Sequence, residues 1–305
     1  MIKIQVLKDA SEIIPYNNPT IPFYIQKHKL SQYPKMEALC HWHEDIEYVK
    51  AVKGHLAYYI NGEKIIIQEH DGVLLNSRQM HYGYSDDGTD CTFICTLFKT
   101  SLLSVNQEIA AKYIQPVTNH PGFSYSYLHS ACPRENEIIR LFDELYEIDQ
   151  KPSPCHEIDL LSRLFSIWSL WYRLLLPDLA DNCPSRDHSL PVLKKMVTFI
   201  YENYRSGISL NEIAHAGGVS RSKCCQIFKQ HLLKSPVEFL NAYRLEMGMQ
   251  LLSDTAMNIT EIAFSCGFHS SSYFSEIFQQ YKGCSPSVYR RQQRNGSCSL
   301  TQESI

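Results

Sequence analysis

The 305-residue sequence contains no run of eighteen apolar residues, and its opening, Met1-Ile2-Lys3-Ile4-Gln5, is not followed by an apolar signal core. No membrane association and no secretory leader are therefore expected, and the expected location is cytoplasmic. Eleven cysteines are present, yet no two stand as C-x-x-C. Their number is odd, and Cys224, Cys225 and Cys266 sit inside apolar-periodic segments, so they read as reduced core thiols rather than as a zinc ribbon. Glycine and proline number only 13 and 14 and follow no period, which excludes a collagen-like chain, and charged residues at 20% leave no case for global disorder. What is left is a globular chain, 44% hydrophobic, long enough for about two to three domains.

The charge is not evenly spread. Residues 1–185 carry 16 Lys+Arg against 23 Asp+Glu, a net of −7, whereas residues 186–294 carry 13 against 8, a net of +5. Counterion release favours a locally basic surface on a polyanion whatever the charge of the whole chain, so the C-terminal part is the one expected to approach nucleic acid.

From about Ile21 to Phe98, short β-rich runs alternate with turn signals. The strongest is Asn61-Gly62, which separates His55–Ile60 from Lys64–Gln68. Asn-Gly supplies two residues that tolerate positive φ, as a tight hairpin requires. This part reads as an antiparallel barrel or sandwich. From Pro133 the apolar period changes to three and four, through Ile138, Ile139, Phe142, Leu145 and Tyr146, then Leu160, Leu161, Leu164, Phe165, Trp168, Trp171 and Tyr172. Two amphipathic helices are expected there, their wide aromatic stripes serving either as packing against the strands or as a dimer seam. Pro177 to Asp187 then breaks the period with proline and polar residues, the composition of a linker.

Beyond the linker the sequence repeats itself. Asn211-Glu-Ile-Ala214 with Gly218-Val219 recurs 49 residues later as Thr260-Glu-Ile-Ala263 with Gly267-Phe268; Ile227-Phe228 and Ser235-Pro236 recur after 50 as Ile277-Phe278 and Ser285-Pro286. Each copy has the parts of a helix-turn-helix. A small alanine lets two helices cross closely, a glycine serves a left-handed turn, and an apolar plug follows. A polar cap then opens the second helix, Ser220 in the first copy and His269 or Ser270 in the second.

Along 190–292 these residues resemble the DNA-binding region of AraC/XylS-type transcription regulators, through Ile208–Ala214, Gly218–Ser222, Tyr243-Arg244-Leu245, Ile259–Ala263, Ser272-Tyr-Phe274, Gly283–Pro286 and Tyr289-Arg290. The resemblance implies two helix-turn-helix subdomains joined by a long helix over about Val237 to Leu252, with two recognition helices set into successive major-groove faces. It places Ser222, Cys225 and Gln226, and in the second copy Ser271, Ser272, Ser275 and Glu276, at base-contacting positions. Gln226 suits adenine, whose N6 and N7 a side-chain amide reads with two hydrogen bonds. Arg221, Lys223, Lys229, Arg244 and Lys282 are expected on phosphates. Glu276, and Gln279-Gln280 in place of a common lysine pair, depart from the family pattern, so the second subdomain is expected to grip DNA less tightly.

In the β-rich part, His41 and His43 alternate along one expected strand and so face the same way, with Glu47 on that face if the strand runs on unbroken. Together with His81 they offer three nitrogens and a carboxylate, a set that can bind a transition metal. The spacing resembles cupin barrel motifs, and also the sensory domain of AraC-type regulators, where the barrel of many members holds a small organic effector without metal. An effector pocket lined by His41, His43, Tyr48, Tyr58, Arg78, His81 and Tyr82 is the leading reading; no cofactor is expected, and a metal, if bound, would use His41, His43, Glu47 and His81.

The expected architecture is thus multidomain α+β: a cupin-like antiparallel β-barrel over 1–132, a helical connector that dimerises over 133–180, a linker over 181–189, an all-α double helix-turn-helix over 190–292 and a disordered tail over 293–305. The expected function is a non-enzymatic, ligand-responsive, sequence-specific regulator of transcription. It is taken as an activator acting as a homodimer on a double-stranded DNA operator with RNA polymerase, under a small effector such as a sugar. The rival readings are a metal-binding cupin enzyme and a metal or redox sensor fused to a DNA-binding domain.

Overall fold

The computed structural model describes residues 6–7, 11–17, 21–120, 122–180 and 189–298. Apart from its N-terminal residues the chain divides into two compact units whose sequence boundary falls between His188 and Ser189. The expected linker lies almost wholly outside the described residues.

The first unit holds eight strands among the described residues: β1 (Phe23–Lys29), β2 (Ile46–Lys53), β3 (Leu56–Ile60), β4 (Glu63–Ile67), β5 (Gly72–Leu75), β6 (His81–Tyr84), β7 (Thr92–Phe98) and β8 (Tyr125–Leu128). They form two antiparallel sheets, β1-β7-β2-β5-β8 and β4-β3-β6. The expected barrel is therefore not closed by strand pairing; two separate sheets face one another, and an isolated His41–His81 bridge lies beside them. The Asn61-Gly62 turn joins β3 to β4 with φ of 50° and 98°, and Ile60 pairs with Glu63 across it. Positive φ at both central residues gives the turn the twist of its strands.

Strand alternation sorts the larger sheet's side chains into two cores. On one face Ile46, Tyr48, Leu74 and Phe98 pack against two helices, α1 (Pro133–Gln150) and α2 (His156–Ala180). α1 contributes Ile138, Ile139, Phe142 and Leu145, and α2 contributes Leu160, Leu164, Ile167, Trp168, Trp171 and Leu175, the three-and-four spacing of one helical face. On the other face Val49, Val73, Leu75, Phe93 and Leu97 meet Leu56, Tyr58 and Ile60 of the smaller sheet. Helix α2 continues through Pro177 to Ala180, so the first residues of the proline- and polar-rich stretch lie inside the helix. Glycine at 72 is demanded by packing, because a Cβ there would lie 2.6 Å from the Tyr48 ring. That ring stacks on Phe142 at 3.8 Å between centroids.

The second unit is helical: α3 (Ser189–Asn203), α4 (Leu210–Ala216), α5 (Arg221–Leu232), α6 (Pro236–Asp254), α7 (Ile259–Ser265), α8 (Ser271–Lys282) and α9 (Pro286–Cys298). The repeat is visible in its caps. Ser209 with Glu212, and Asn258 with Glu261, close reciprocal capping boxes on α4 and α7, while Ser220 and Ser270 accept from backbone amides to open α5 and α8. Gly218 and Gly267 hold φ of 66° and 82° between the paired helices. The long α6 joins both halves: its Phe239 and Tyr243 pack on Tyr201 and Phe228, and its Leu245, Met249 and Leu252 enter the core of the second half. Helix α9 starts at Pro286, with Ser285 accepting from the Val288 amide, just as Ser235-Pro236 initiates α6, and it extends to Cys298, into the stretch assigned from sequence to a disordered tail. Residues 299–305 lie outside the described residues.

Candidate functional site

Between the two sheets lies a cavity of about 340 Å³. Its wall is built from alternate residues of β1 (Tyr24, His28), β2 (Glu47, Val49) and β7 (Phe93, Cys95, Leu97), closed by Tyr58 of β3 and by His41 and Glu12.

At one side of it three imidazoles meet. His41, His43 and His81 are all buried, with ring centroids 4.3 Å apart for His41–His81 and 4.9 Å for His43–His81. Each ring places Nδ1 on a backbone carbonyl: Leu39 at 2.7 Å, Asp45 at 3.0 Å and Gln79 at 2.9 Å respectively. A carbonyl only accepts, so Nδ1 carries the proton in all three and Nε2 is turned inward. Glu47 Oε2 lies 2.9 Å from His81 Nε2 and 3.4 Å from His43 Nε2, and Glu12 Oε2 lies 3.5 Å from His41 Nε2. The Tyr58 hydroxyl donates to Glu47 at 3.0 Å, and the Cys95 thiol donates to its other oxygen at 3.3 Å.

The electrostatics follow from burial and these neighbours. Burial pushes the Glu47 carboxyl up, but His81 and His43 outweigh it and hold the group well below its usual range. Burial lowers His41 and His81 to about 4, and His43 is raised because its contact with Glu47 overcomes the same burial. Glu12, surrounded by apolar walls and facing Glu47, is pushed up to about 7. Across the cavity His28 is lowered to about 4 by burial, with Tyr24 Oη 2.9 Å from its Nε2 and its Nδ1 unpartnered.

The residues expected here from sequence do not all gather. His41, His43, Tyr58 and His81 meet around Glu47. Tyr48 points to the opposite face of the sheet, onto Phe142, because adjacent strand residues alternate and Glu47 already faces the cavity. Tyr82 is turned away from His81 for the same reason and lies against Tyr59 and Tyr84. Arg78 is exposed, with its Nε 2.8 Å from Glu44. The strand assumed to carry His41 to Glu47 is interrupted, since β2 starts at Ile46 and residues 44–45 bend. The bend still brings Glu47 to the imidazoles. Sequence reading overlooked Glu12, Tyr24, His28 and Cys95. Tyr24 and His28 were detectable as alternate polar-aromatic positions of β1, whereas Glu12 reaches the site through a backbone bridge of Ser11 with Trp42 that no local pattern announces.

In the helical unit, Arg221, Ser222, Lys223, Gln226 and Lys229 are exposed on α5, with Cys225 half-buried. Lys223 Nζ donates to the Gln226 side-chain oxygen at 3.3 Å, and Lys229 Nζ donates to the Leu233 carbonyl at 3.3 Å. On α8, Ser272 and Glu276 are exposed and Ser271 and Ser275 half-buried. Lys282 is half-buried, its Nζ 5.9 Å from the Tyr289 ring centroid. Arg244, placed on phosphates by sequence reading, is instead buried at 5% exposure and donates to the Tyr204 and Ser206 carbonyls, each at 2.7 Å. Its guanidinium ties down the turn that follows α3.

Two family models match the chain: an AraC-like ligand binding domain over residues 36–165 and a helix-turn-helix domain over 213–292. The chain is similar to the HTH-type transcriptional regulator YdeC of Bacillus subtilis (strain 168), 29% identical over 285 residues, covering 93% of this chain and 97% of that one. It is similar to the melibiose operon regulatory protein of Escherichia coli (strain K12), 28% identical with 85% of each chain covered. It is also 34% identical to the raffinose operon transcriptional regulatory protein RafR of Pediococcus pentosaceus over 158 residues, 52% of this chain and 56% of that protein.

Proposed function

Because the chain belongs to the AraC family of transcription regulators, with a ligand-binding domain ahead of a helix-turn-helix domain, we propose that it is an activator controlled by a sugar-like effector held in the cavity between its two sheets. The observation that carries this reading is the cavity wall itself. Tyr24, Tyr33, Tyr58 and Phe93 offer aromatic faces, and His28, His41 and Glu12 offer polar groups for hydroxyls, the mixture that small polar ligands use. Similarity to regulators of melibiose and raffinose operons supports a sugar.

On this reading residues 1–132 sense, 133–180 connect and dimerise, 181–189 link, and 190–292 bind operator DNA in the cytoplasm beside RNA polymerase. Among the described residues no helix is long and apolar enough to cross a membrane. Ser222, Cys225 and Gln226 of α5, with Ser271, Ser272, Ser275 and Glu276 of α8, face the bases; Arg221, Lys223, Lys229 and Lys282 take phosphates. A homodimer is supported by an apolar stripe on α2, where Ile158, Phe165 and Leu176 are 68%, 40% and 50% exposed at spacings of seven and eleven. Effector binding then alters DNA affinity only through its different affinity for the two arrangements of the protein, and DNA alters effector affinity by the same factor.

The experiment is thermal unfolding of the full chain against a panel of sugars and organic acids, with and without chelator. A sugar at a hundred times its dissociation constant is expected to add about 2.7 kcal/mol of stability. A panel in which only organic acids stabilise would overturn the sugar assignment.

A further inference from the structure

We infer that Gly267 and Arg244 set the separation and angle of the two recognition helices, α5 and α8, so that the protein measures the number of base pairs between the two DNA segments they read. The inference rests on both helices entering DNA, as proposed above.

The two turns of the repeat are built alike. Gly218 and Gly267 hold φ of 66° and 82°, and in each turn the residue after the glycine donates to a carbonyl of the preceding helix, Val219 to Ala214 and Phe268 to Ala263. Their surroundings differ. Around Gly218 a Cβ would meet nothing within 4 Å, so that glycine serves the left-handed backbone alone. A Cβ at Gly267 would overlap the Tyr204 carbonyl oxygen and press on Arg205 Cα. The second turn thus rests directly on the backbone that joins α3 to α4 in the first half.

Arg244 fastens the same joint from α6. It holds the Tyr204 and Ser206 carbonyls, each at 2.7 Å, and its guanidinium carbon lies 5.8 Å from the ring centroid of Phe268, the residue after Gly267. Tyr243 of α6 meets the Tyr204 ring edge-on at 5.0 Å between centroids. Along α8 itself, Asn241 of α6 donates to the Tyr273 hydroxyl at 3.3 Å, and a Cβ at Gly248 of α6 would stand 3.0 Å from the Phe274 ring. Helix α8 is therefore seated on the first half at its opening and on the linking helix along its first turns. Such a joint is close-packed and resists small continuous deformation.

The consequence falls on DNA. One inserted base pair moves a segment about 3.4 Å along the axis and turns it by about 35° around it. Helices fastened to one another cannot follow that displacement. Either one of them gives up base contacts or the DNA is twisted to meet it, and both cost free energy.

The test uses DNA selected from a random pool by the full chain, with its protected segments located by hydroxyl-radical footprinting, and the same DNA with one base pair inserted between them. The wild-type chain is expected to bind the lengthened DNA more weakly by about tenfold or more, the scale of one mismatched base pair. Asparagine tolerates positive φ, so Gly267→Asn keeps the turn and adds the side chain that the joint has no room for. It is expected to bind the parent DNA less tightly and to bring the ratio of the two affinities toward one. Gly218→Asn makes the same change where the space is open and is expected to keep the wild-type ratio. If circular dichroism shows Gly267→Asn unfolded, Arg244→Lys, which keeps the charge and drops the fork, carries the test and is expected to narrow the ratio as well. Equal binding of the two DNAs by the wild-type chain would overturn the inference. So would a full wild-type ratio in the folded Gly267→Asn or Arg244→Lys protein, or an equal narrowing by Gly218→Asn. Each of those results leaves two protected segments, and with them the base-facing assignment, standing; a single protected segment would overturn that assignment and this inference together.

Discussion

Arg244 Nε and the Tyr204 carbonyl lie 2.7 Å apart, and the same guanidinium reaches the Ser206 carbonyl at an equal distance. A residue of the linking helix α6 thereby ties down the end of α3, and it lies over Phe268 of the second helix-turn-helix at 5.8 Å from the ring centroid. Arg290 does the same work later in the chain, donating to the Leu252 and Met257 carbonyls. Carbonyls at and just past a helix C-terminus have no intrahelical partner, and a planar fork satisfies two at once.

Arg244→Lys is therefore expected to lose one charged hydrogen bond and destabilise the helical unit by about 1.5 to 3 kcal/mol. The unit contains none of the three tryptophans, Trp42, Trp168 and Trp171. The loss should show in the circular-dichroism transition and leave the fluorescence transition in place. The salt dependence of DNA binding by the folded variant should keep its slope; a slope reduced by about 1 would mean that Arg244 touches phosphate after all.

On α5, Gln226→Ala should cost roughly 1 to 3 kcal/mol at the preferred DNA sequence and almost nothing on random DNA. Lys223→Ala should weaken both alike and lower the salt slope by about 1. Anisotropy titrations at several salt concentrations separate the two behaviours, and equal loss on both DNAs for Gln226→Ala would remove it from the base-reading set.

Tyr48 and Tyr58 give the sharpest test of which sheet face senses. The Tyr48 hydroxyl is buried with no partner, so Tyr48→Phe should leave effector affinity unchanged and hold or raise stability. Tyr58 donates to Glu47, and Tyr58→Phe should weaken effector binding several-fold. Calorimetric titration of the two variants decides it, and the reverse order of effects would place the effector elsewhere.

His28 sets a pH dependence. Its pKa is about 4 in the folded chain against 6.5 for the unperturbed group, so between those values the unfolded chain binds more protons. Stability from this group is complete above about pH 6.5 and falls as pH drops toward 4, by roughly 2 to 3 kcal/mol in all. His28→Gln should make that part of the profile shallower without abolishing it, since His41 and His81 are lowered to about 4 as well, and the change is read from tryptophan fluorescence in denaturant between pH 4 and 7. An unchanged wild-type-like slope in the variant would show that His28 does not set it.

The helical half was open to sequence reading because its information is local and stated twice. Gly218 and Gly267, Ser220 and Ser270, and the capping boxes of Ser209 and Asn258 all lie within one turn of the structure they specify. Arg244 misled because a sequence shows a charge but not its burial. In the β unit, the Asn61-Gly62 hairpin and the gathering of His41, His43 and His81 beside Glu47 followed from residue type and spacing. Alternation should have excluded Tyr48 beside Glu47 and Tyr82 beside His81, since neighbours on a strand cannot share a face. Glu12 was hidden for a different reason: its place depends on a long-range bridge of Ser11 with Trp42, and loop closure of that kind leaves no periodic trace.

The central claim is that occupancy of the cavity and binding of DNA are coupled. The direct measurement is the affinity of the full chain for DNA chosen by selection from a random pool, with and without the sugar that most raises its unfolding temperature, together with the affinity for that sugar with and without DNA. The account predicts a change in both by one common factor, typically 5- to 150-fold, and its disappearance in Tyr58→Phe at the same sugar concentration. A sugar that stabilises the protein yet leaves DNA affinity unchanged would contradict it.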